Sequence, residues 1–413
     1  MGKRTQAIHS GYSPDPSTGA SAVPVYHTAA FSYSTAQELA DVFAGRAPGN
    51  VYSRISNPTS LALEQRLAEL ENGVGCIATS SGMAAITAVM VALLQAGDEI
   101  LSVAGLFGGT VSLFQNTLGR FGVSVRYADG NDADDFALAV TGRTRIIYLE
   151  TIGNPGMNVP DIAGIARVAH EHNLPLVIDA TLTPPAIVRT GELGADIVIH
   201  STTKFINGHG TAIGGAIIDT GNYSWDDGQF HDLWKWGRKA GPFAFIAYLR
   251  NVVYRDLGGC PSPMNSFLML QGLETLAPRM KLHCENARNL AAYLAGHPRV
   301  PWVNYPALPA SPFAERVKAQ FKGNGGSLLT FGLETKKRAF AFVDAVKLAK
   351  NMTNLGDVKT LVVHPASTIF HEYSPEERVR MGVPDDMLRV SVGIEDFEDI
   401  RADFEQAMEA AKE

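Results

Sequence analysis

The residues most able to do chemistry in this chain are Lys204 and Asp179. Lys204 closes the run His200-Ser201-Thr202-Thr203-Lys204, and Asp179 ends the apolar segment Pro175–Asp179. A lysine amine that follows a strand can form a Schiff base with an aldehyde, and a carboxylate at a strand end can pair with a pyridinium nitrogen. This is the chemistry of pyridoxal phosphate. Taken alone, Lys204 fits an ordinary surface lysine better, so the rest of the chain must supply the site.

A phosphate group needs hydrogen-bond donors, and two segments predict them. Gly82 and Met83 lie between a predicted strand and a predicted helix, where backbone N–H groups point out of a positive helix end. Ser201 and Thr203 add two hydroxyl groups on the loop that carries Lys204. If both loops lie at the carboxyl edge of one sheet, they form a phosphate-binding cup. The alternative for Gly82 is a plain helix start built from small residues.

Positive charge for the phosphate is predicted from Tyr52 and Arg54. Arg54 can clamp a phosphate with two hydrogen bonds, and Tyr52 can donate another. Both residues end a segment that we expect to reach the site of a neighbouring subunit. The alternative is a solvated arginine and a tyrosine that only packs.

Three further residues could complete the site. Asn154 can hydrogen-bond the ring hydroxyl oxygen, although an asparagine before Pro155 is also a common turn residue. Phe107 can stack on the ring face, or belong to the core. Arg389 lies within the apolar alternation Leu388–Val392, where an unpaired arginine is costly. Its partner is either a substrate carboxylate or an internal Asp or Glu.

The composition is that of an ordinary soluble globular protein and allows such an enzyme. The chain has 413 residues, 46% hydrophobic and 19% charged, and a net charge of −7. The absence of long runs of like charge argues against a nucleic-acid or membrane partner. The N-terminus lacks the apolar region of a signal peptide, so we expect a cytoplasmic protein. Cys76, Cys260 and Cys284 are expected to be reduced and structural, and the histidines show no metal-ligand spacing.

The pattern along the chain predicts an α/β fold. Seven short apolar runs alternate with helical patterns, as in a mostly parallel sheet covered by helices. The predicted strands are Cys76–Thr79, Glu99–Val103, Val123–Tyr127, Arg145–Leu149, Pro175–Asp179, Ile197–His200 and Gly214–Ile218. We predict an extended N-terminal arm over residues 1–56, a cofactor domain over 57–258 and a smaller α/β domain over 259–413. The last begins with one long helix, Met264 to about Leu294.

Taken in order, these residues resemble the Cys/Met-metabolism family of pyridoxal phosphate enzymes. Nine blocks carry the resemblance: Tyr52–Arg54, Ser80–Met83, Asn154-Pro155, Asp179, Ser201–Lys204, Asn207–Gly210, Leu355–Asp357, His364–Ser367 and Arg389–Gly393. The resemblance implies fold type I of the pyridoxal phosphate-dependent transferases, with pyridoxal 5′-phosphate as cofactor. It further implies a homotetramer built from dimers with shared active sites.

Within that family the chain is similar to the O-acetylhomoserine sulfhydrylase branch. The similarity lies in Arg255–Asn265, Gln271–Leu276, Trp302–Pro306 and Asn354–Asp357. It implies a γ-replacement in which O-acetyl-L-homoserine reacts with sulfide or methanethiol to give homocysteine or methionine, and acetate. The expected catalytic residues are Lys204 and Tyr52, and the expected substrate-binding residues are Arg389, Asn354 and Asn154. The alternatives are an O-succinylhomoserine sulfhydrylase, a methionine or cystathionine γ-lyase, and a non-catalytic scaffold.

Two positions separate these alternatives, and a third departs from the pattern of the branch. Phe107 stands where most of the family has a tyrosine that protonates the departing group, and Gly109 stands where methionine γ-lyases have a cysteine. A carboxylate, with a parent pKa of about 4.3, leaves without a proton more easily than a thiolate, whose parent pKa is about 8.5. Phe107 therefore favours an acyl-activated substrate. The third position, Ile369-Phe370, replaces a polar contact expected near the substrate carboxylate.

Overall fold

The computed structural model describes residues 1–226 and 228–412. The sequence predicted an extended N-terminal segment, but this segment contains two helices, α1 (Lys3–His9) and α2 (Ala36–Phe43). Helix α1 packs on the same chain, with Ala7 in the core and Gln6 accepting a hydrogen bond from Arg189 at 2.7 Å. Helix α2 buries none of its side chains, and Phe43 is 70% exposed. Only the second half of this segment therefore behaves as an arm.

A seven-stranded sheet forms the centre of the large domain, and all seven predicted strands are present with small shifts of their ends. They are β1 (Gly75–Thr79), β2 (Glu99–Val103), β3 (Ser124–Ala128), β4 (Thr144–Glu150), β5 (Leu176–Asp179), β6 (Ile197–His200) and β7 (Gly215–Asp219). Their order is β1-β7-β6-β5-β4-β2-β3. Strand β7 is antiparallel to β1 and β6, while the pairs from β6 to β3 are parallel. The predicted α/β fold class is confirmed.

Helices cover both faces of this sheet. They are α3 (Pro58–Glu71), α4 (Gly82–Leu93), α5 (Gly108–Ser112), α6 (Ala133–Ala139), α7 (Ile162–Glu171), α8 (His231–Ala240), α9 (Ala244–Tyr248) and α10 (Arg255–Leu257). Two π-helical segments, Leu113–Thr117 and Leu249–Tyr254, continue α5 and α9. Alternate strand residues point into different cores, so Leu101 packs on one face and Ile100 on the other. Burial on both faces explains why the inner strands, such as β4 to β7, read as mostly apolar runs.

The C-terminal part holds a second sheet. Its strands are β8 (Val303–Asn304), β9 (Leu328–Gly332), β10 (Lys350–Asn351), β11 (Leu361–Val363) and β12 (Met387–Ser391), in the order β10-β11-β12-β9-β8. Its helices are α11 (Pro263–Glu274), α12 (Leu276–Ala295), α13 (Ala314–Phe321), α14 (Lys336–Ala345), α15 (Pro375–Arg380) and α16 (Phe397–Ala410). The single long helix predicted from Met264 is therefore two, divided at Thr275.

Candidate active site

A cleft of about 130 Å³ opens where strands β4, β5 and β6 end beside the start of α4. Parallel strands present their carboxyl ends at one edge of the sheet, which is the usual ligand side of an open α/β fold. The C-terminal part closes the cleft with Thr353, Leu355 and Arg389. Eight of the predicted site residues line it together: Gly82, Met83, Phe107, Asn154, Asp179, Ser201, Lys204 and Arg389.

The start of α4 forms one wall. The Ser81 hydroxyl caps the helix by accepting the Ala84 amide at 3.0 Å. The amides of Gly82 and Met83 belong to the first turn, where N–H groups have no acceptor within the helix. Gly82 lies close to the lysine loop, because a Cβ at this position would come within 2.7 Å of the Ser201 Cβ. The two predicted phosphate-binding segments are therefore neighbours.

Asp179 is tied to the same loop through Thr181. The Thr181 amide donates to Asp179 Oδ1 at 2.9 Å, and the Thr181 hydroxyl accepts the Ser201 amide at 2.8 Å. Burial raises the pKa of the Asp179 carboxyl. A cation beside it would reverse that effect. The geometry thus provides a carboxylate that gains from a protonated ring nitrogen.

Lys204 lies across the cleft, where Nζ donates to Asn354 Oδ1 at 2.8 Å. Burial lowers the pKa of the amine to about 8, and the charge of Arg389 acts in the same direction. Near neutral pH, a lysine with this pKa has a far larger fraction of neutral, nucleophilic amine than a solvated lysine.

Arg389 on β12 is 2% exposed, and burial lowers its pKa to about 10. One guanidinium nitrogen donates to Asn154 Oδ1 at 3.1 Å, and the other to the carbonyl oxygens of Thr353 and Asn354 at 3.3 Å. Among the described residues, no Asp or Glu forms an ion pair with it. The internal carboxylate that the sequence left open is therefore not found, and the cation faces the cleft.

The Phe107 ring lines the cleft above Gly109. A Cβ at residue 109 would lie 2.6 Å from Phe107 Cε1, so the ring occupies space that any side chain there would need. Gly108, between them, faces Phe370 and Ile369 at 3.8 and 3.9 Å from its ideal Cβ position. The three unusual positions of the sequence thus lie close together.

Three predicted residues lie outside the cleft lining. The Thr203 hydroxyl is engaged with the backbone of Gly214, accepting its amide at 3.0 Å. Tyr52 and Arg54 are exposed, with the Arg54 guanidinium 5.5 Å from the Tyr52 ring centre and bonded to the Arg255 carbonyl. A fourth, Asn354, reaches the site through its bond to Lys204.

Sequence reasoning assigned no role to several residues that the structure places in the cleft: Ile86, Glu150, Ile152, Thr181, Leu182, Thr353 and Leu355. Glu150 ends β4 as Asp179 ends β5, and the two are directly paired in the sheet register. That shared strand-end position was a usable signal. No such signal marked Thr353, because its loop is far in the sequence from the strand ends that form the rest of the cleft.

Comparison with known proteins places this geometry in a family. The model of the Cys/Met metabolism PLP-dependent enzymes, where PLP is pyridoxal phosphate, matches residues 4–409. The chain belongs to this family. The predicted family, cofactor class and fold are therefore confirmed, and the chain is an enzyme of the pyridoxal phosphate-dependent kind.

Relatives are similar over nearly their whole length. The chain is 41% identical to a homocysteine synthase of Schizosaccharomyces pombe, covering 98% of both chains. It is 40% identical to O-acetyl-L-homoserine sulfhydrylase 1 of Thermus thermophilus, covering 98% of this chain and 99% of the relative.

A solved structure of a putative O-acetylhomoserine (thiol)-lyase from Campylobacter jejuni superposes with a TM-score of 0.94 at 33% identity. The match covers 99% of this chain and 100% of that one, which carries N′-pyridoxyl-lysine-5′-monophosphate. A cystathionine γ-lyase from Lactobacillus plantarum superposes with a TM-score of 0.88 at 32% identity over the full length of both chains.

The residues present fit pyridoxal 5′-phosphate. Lys204 would hold its aldehyde carbon, Asp179 its ring nitrogen, Phe107 its ring face, and the Gly82, Met83 and Ser201 donors its phosphate. When bound, the cofactor withdraws electrons from the bonds at the α-carbon of an amino acid.

Proposed function

We propose that the enzyme catalyses γ-replacement on O-acetyl-L-homoserine, with sulfide or methanethiol as the nucleophile, giving L-homocysteine or methionine, and acetate. The observation that carries the proposal is the pair Lys204 and Arg389 in one cleft. Arg389 is a buried cation that lacks a carboxylate partner among the described residues. The ester is inferred from the O-acetyl-L-homoserine sulfhydrylase of Thermus thermophilus and the product homocysteine from the homocysteine synthase of Schizosaccharomyces pombe, each of which matches 98% of this chain.

The residues of the cleft divide the work. Arg389 binds the substrate carboxylate with two hydrogen bonds. Asn154 positions the Arg389 guanidinium, and Asn354 positions the Lys204 amine. Lys204 removes and returns the proton at the α-carbon, a role that its low pKa favours. Phe107 and its apolar neighbours keep water away from the γ-carbon.

The leaving group is the point at which the proposal differs from a lyase of cystathionine. Phe107 has no hydroxyl group to protonate a departing thiolate, whereas acetate departs as a stable anion. Since a cystathionine γ-lyase has the same fold at 32% identity, γ-elimination to 2-oxobutyrate remains the second candidate function. The fold supports this second function, whereas the lack of a hydroxyl group on Phe107 argues against the cleavage of cystathionine.

The experiment compares two esters. Purified enzyme loaded with pyridoxal 5′-phosphate is incubated with sulfide and either O-acetyl-L-homoserine or O-succinyl-L-homoserine, and homocysteine is measured. We expect homocysteine mainly from the acetyl ester, because the second carboxylate of the succinyl ester would need a further cation. Lys204 and Arg389 are the only cations that the described part of this chain contributes to the cleft lining, and the neighbouring subunit's Arg54 is assigned to the cofactor. Lys204→Ala should give none. A faster reaction of the succinyl ester would overturn the choice of substrate.

The assembly and its location belong to the same proposal. A homotetramer built as a dimer of dimers would cover the exposed apolar side of α2. It would also bring Tyr52 and Arg54 into the cleft of a neighbouring subunit, where both residues contact the cofactor and Tyr52 acts in catalysis. The domain boundaries at 56/57 and 258/259 stay part of the proposal. The three free cysteines are compatible with a cytoplasmic location. Among the described helices, none is long and apolar enough to cross a membrane.

A further inference from the structure

Glu150 is a titratable group in the cleft that the proposed reaction does not use. It is the last residue of β4, lines the cleft and is 7% exposed. Its Oε1 accepts the backbone N–H of Phe107 at 2.7 Å. This hydrogen bond joins the end of a central strand to the loop that carries the stacking ring, so Glu150 bears directly on where that ring lies.

The surroundings of Glu150 are unfavourable for a negative charge. Asp179 is its register partner on β5, and it is the charged side chain that acts on Glu150. No Lys, Arg or His of the described chain forms an ion pair with Glu150, since Lys204 is bonded to Asn354 and Arg389 to Asn154. Burial, and then the negative charge of Asp179, raise the pKa of Glu150 well above its ordinary value.

We propose that Glu150 is a positioning residue that stays protonated, so that Asp179 alone carries the negative charge under the cofactor ring while a neutral carboxyl holds the Phe107 loop. Two ionised carboxylates side by side would repel each other and compete for one ring nitrogen. A neutral acid can accept the Phe107 amide through Oε1 without that penalty. This inference goes beyond the proposed function and does not depend on which ester reacts.

Two substitutions separate charge from shape. Glu150→Gln keeps the size, the neutral state and an oxygen for the Phe107 amide, whereas Glu150→Ala removes the acceptor. We expect the dissociation constant of pyridoxal 5′-phosphate to change less than about twofold in Glu150→Gln. In Glu150→Ala it should rise about tenfold, the effect of losing one buried hydrogen bond. Glu171→Gln, at the exposed end of α7, is the matched control.

The apoprotein gives a readout that needs no cofactor. Above pH 4.5, the ordinary pKa of a glutamate, Glu150 loses its proton in the unfolded state but keeps it in the folded state. The free energy of unfolding should therefore fall as the pH rises from 4.5 towards the pKa of Glu150 in the folded state. We expect this slope, measured by urea unfolding, to be smaller in Glu150→Gln and unchanged in Glu171→Gln. Infrared spectra at neutral pH should lose a protonated-carboxyl band in Glu150→Gln.

The contrary results are equally specific. An unfolding slope that Glu150→Gln leaves unchanged, together with an intact protonated-carboxyl band, would mean that Glu150 is ionised. Cofactor binding weakened as much by Glu150→Gln as by Glu150→Ala would point the same way. Either result would overturn the inference while leaving the ester assay, and hence the proposed function, untouched.

Discussion

At the scale of single residues, the cleft derives its chemistry from two cations, the part-buried Lys204 and the buried Arg389, that share Asn354 as a hydrogen-bonding partner. The Asn354 side chain accepts from Lys204 and its backbone carbonyl accepts from Arg389, so one residue positions both groups. Bringing two positive charges into one desolvated space disfavours the protonated amine. Since arginine hardly ever releases its proton, the cost falls on Lys204.

A pH dependence follows from the Lys204 pKa of about 8. The neutral amine is the form that attacks the cofactor aldehyde, so the rate at which apoprotein binds pyridoxal 5′-phosphate should rise about tenfold per pH unit below that value and level off above it. Stopped-flow absorbance measures this rate. Lys204→Ala should show no lysine-linked absorbance, and the exposed Lys281→Ala should behave as wild type. A rate still rising steeply above pH 10 would contradict a buried, low-pKa lysine.

The residue types of the site were predictable where a strand end or a helix start marks a position, as for Lys204, Asp179 and Gly82. The contacts that join distant segments were not. Nothing near Arg389 in the sequence indicates that its partners are Asn154 and two carbonyl groups, because those lie on other elements. Glu150 could have been found from its strand-end position.

At the scale of elements, helix α4 and the lysine loop must approach closely to form one phosphate site. Gly82 allows this, since a methyl group there would collide with Ser201. We expect Gly82→Ala to separate the two segments and to weaken cofactor binding by about tenfold or more, as loss of one or two charge-assisted hydrogen bonds would. Fluorescence titration of apoprotein measures it. Gly142→Ala, where nothing lies within 4 Å of the added methyl group, is the control.

The opposite outcome for that pair is informative. If Gly82→Ala bound pyridoxal 5′-phosphate as tightly as Gly142→Ala, the start of α4 would not hold the phosphate.

The elements themselves were predicted unevenly, for physical reasons. Strands buried on both faces give unbroken apolar runs and were all found. Helix α2 was missed although Thr35 and Glu38 form a capping box and Leu39 and Phe43 lie four residues apart, because a helix of eight residues gives only a short apolar pattern within a segment rich in proline and glycine. The break at Thr275 was missed although Pro278, in the first turn of α12, is a signal for a helix start.

At the scale of the whole molecule, one edge of the seven-stranded sheet and the C-terminal part of the chain together line the cleft, whereas Tyr52 and Arg54 are exposed on their own chain. A shared active site predicts complementation between subunits. Lys204→Ala and Arg54→Ala proteins, each nearly inactive, should regain about a quarter of wild-type activity when unfolded and refolded together, since half the dimers are hybrids with one intact site.

The control for complementation is a pair of variants within one chain's cleft. Lys204→Ala refolded with Asp179→Ala should regain nothing, because both side chains line the same cleft. Equal recovery in both mixtures, or none in either, would argue against a role of Arg54 in a neighbouring site.

The fate of the four-carbon unit of O-acetyl-L-homoserine tests the central claim most directly. Homocysteine and 2-oxobutyrate are measured in the same reaction, with and without sulfide. The proposed γ-replacement predicts that homocysteine dominates when sulfide is present and that little 2-oxobutyrate forms without it. Formation of 2-oxobutyrate at full rate in the absence of any thiol would contradict the account, because it would mean that the enzyme is a γ-lyase.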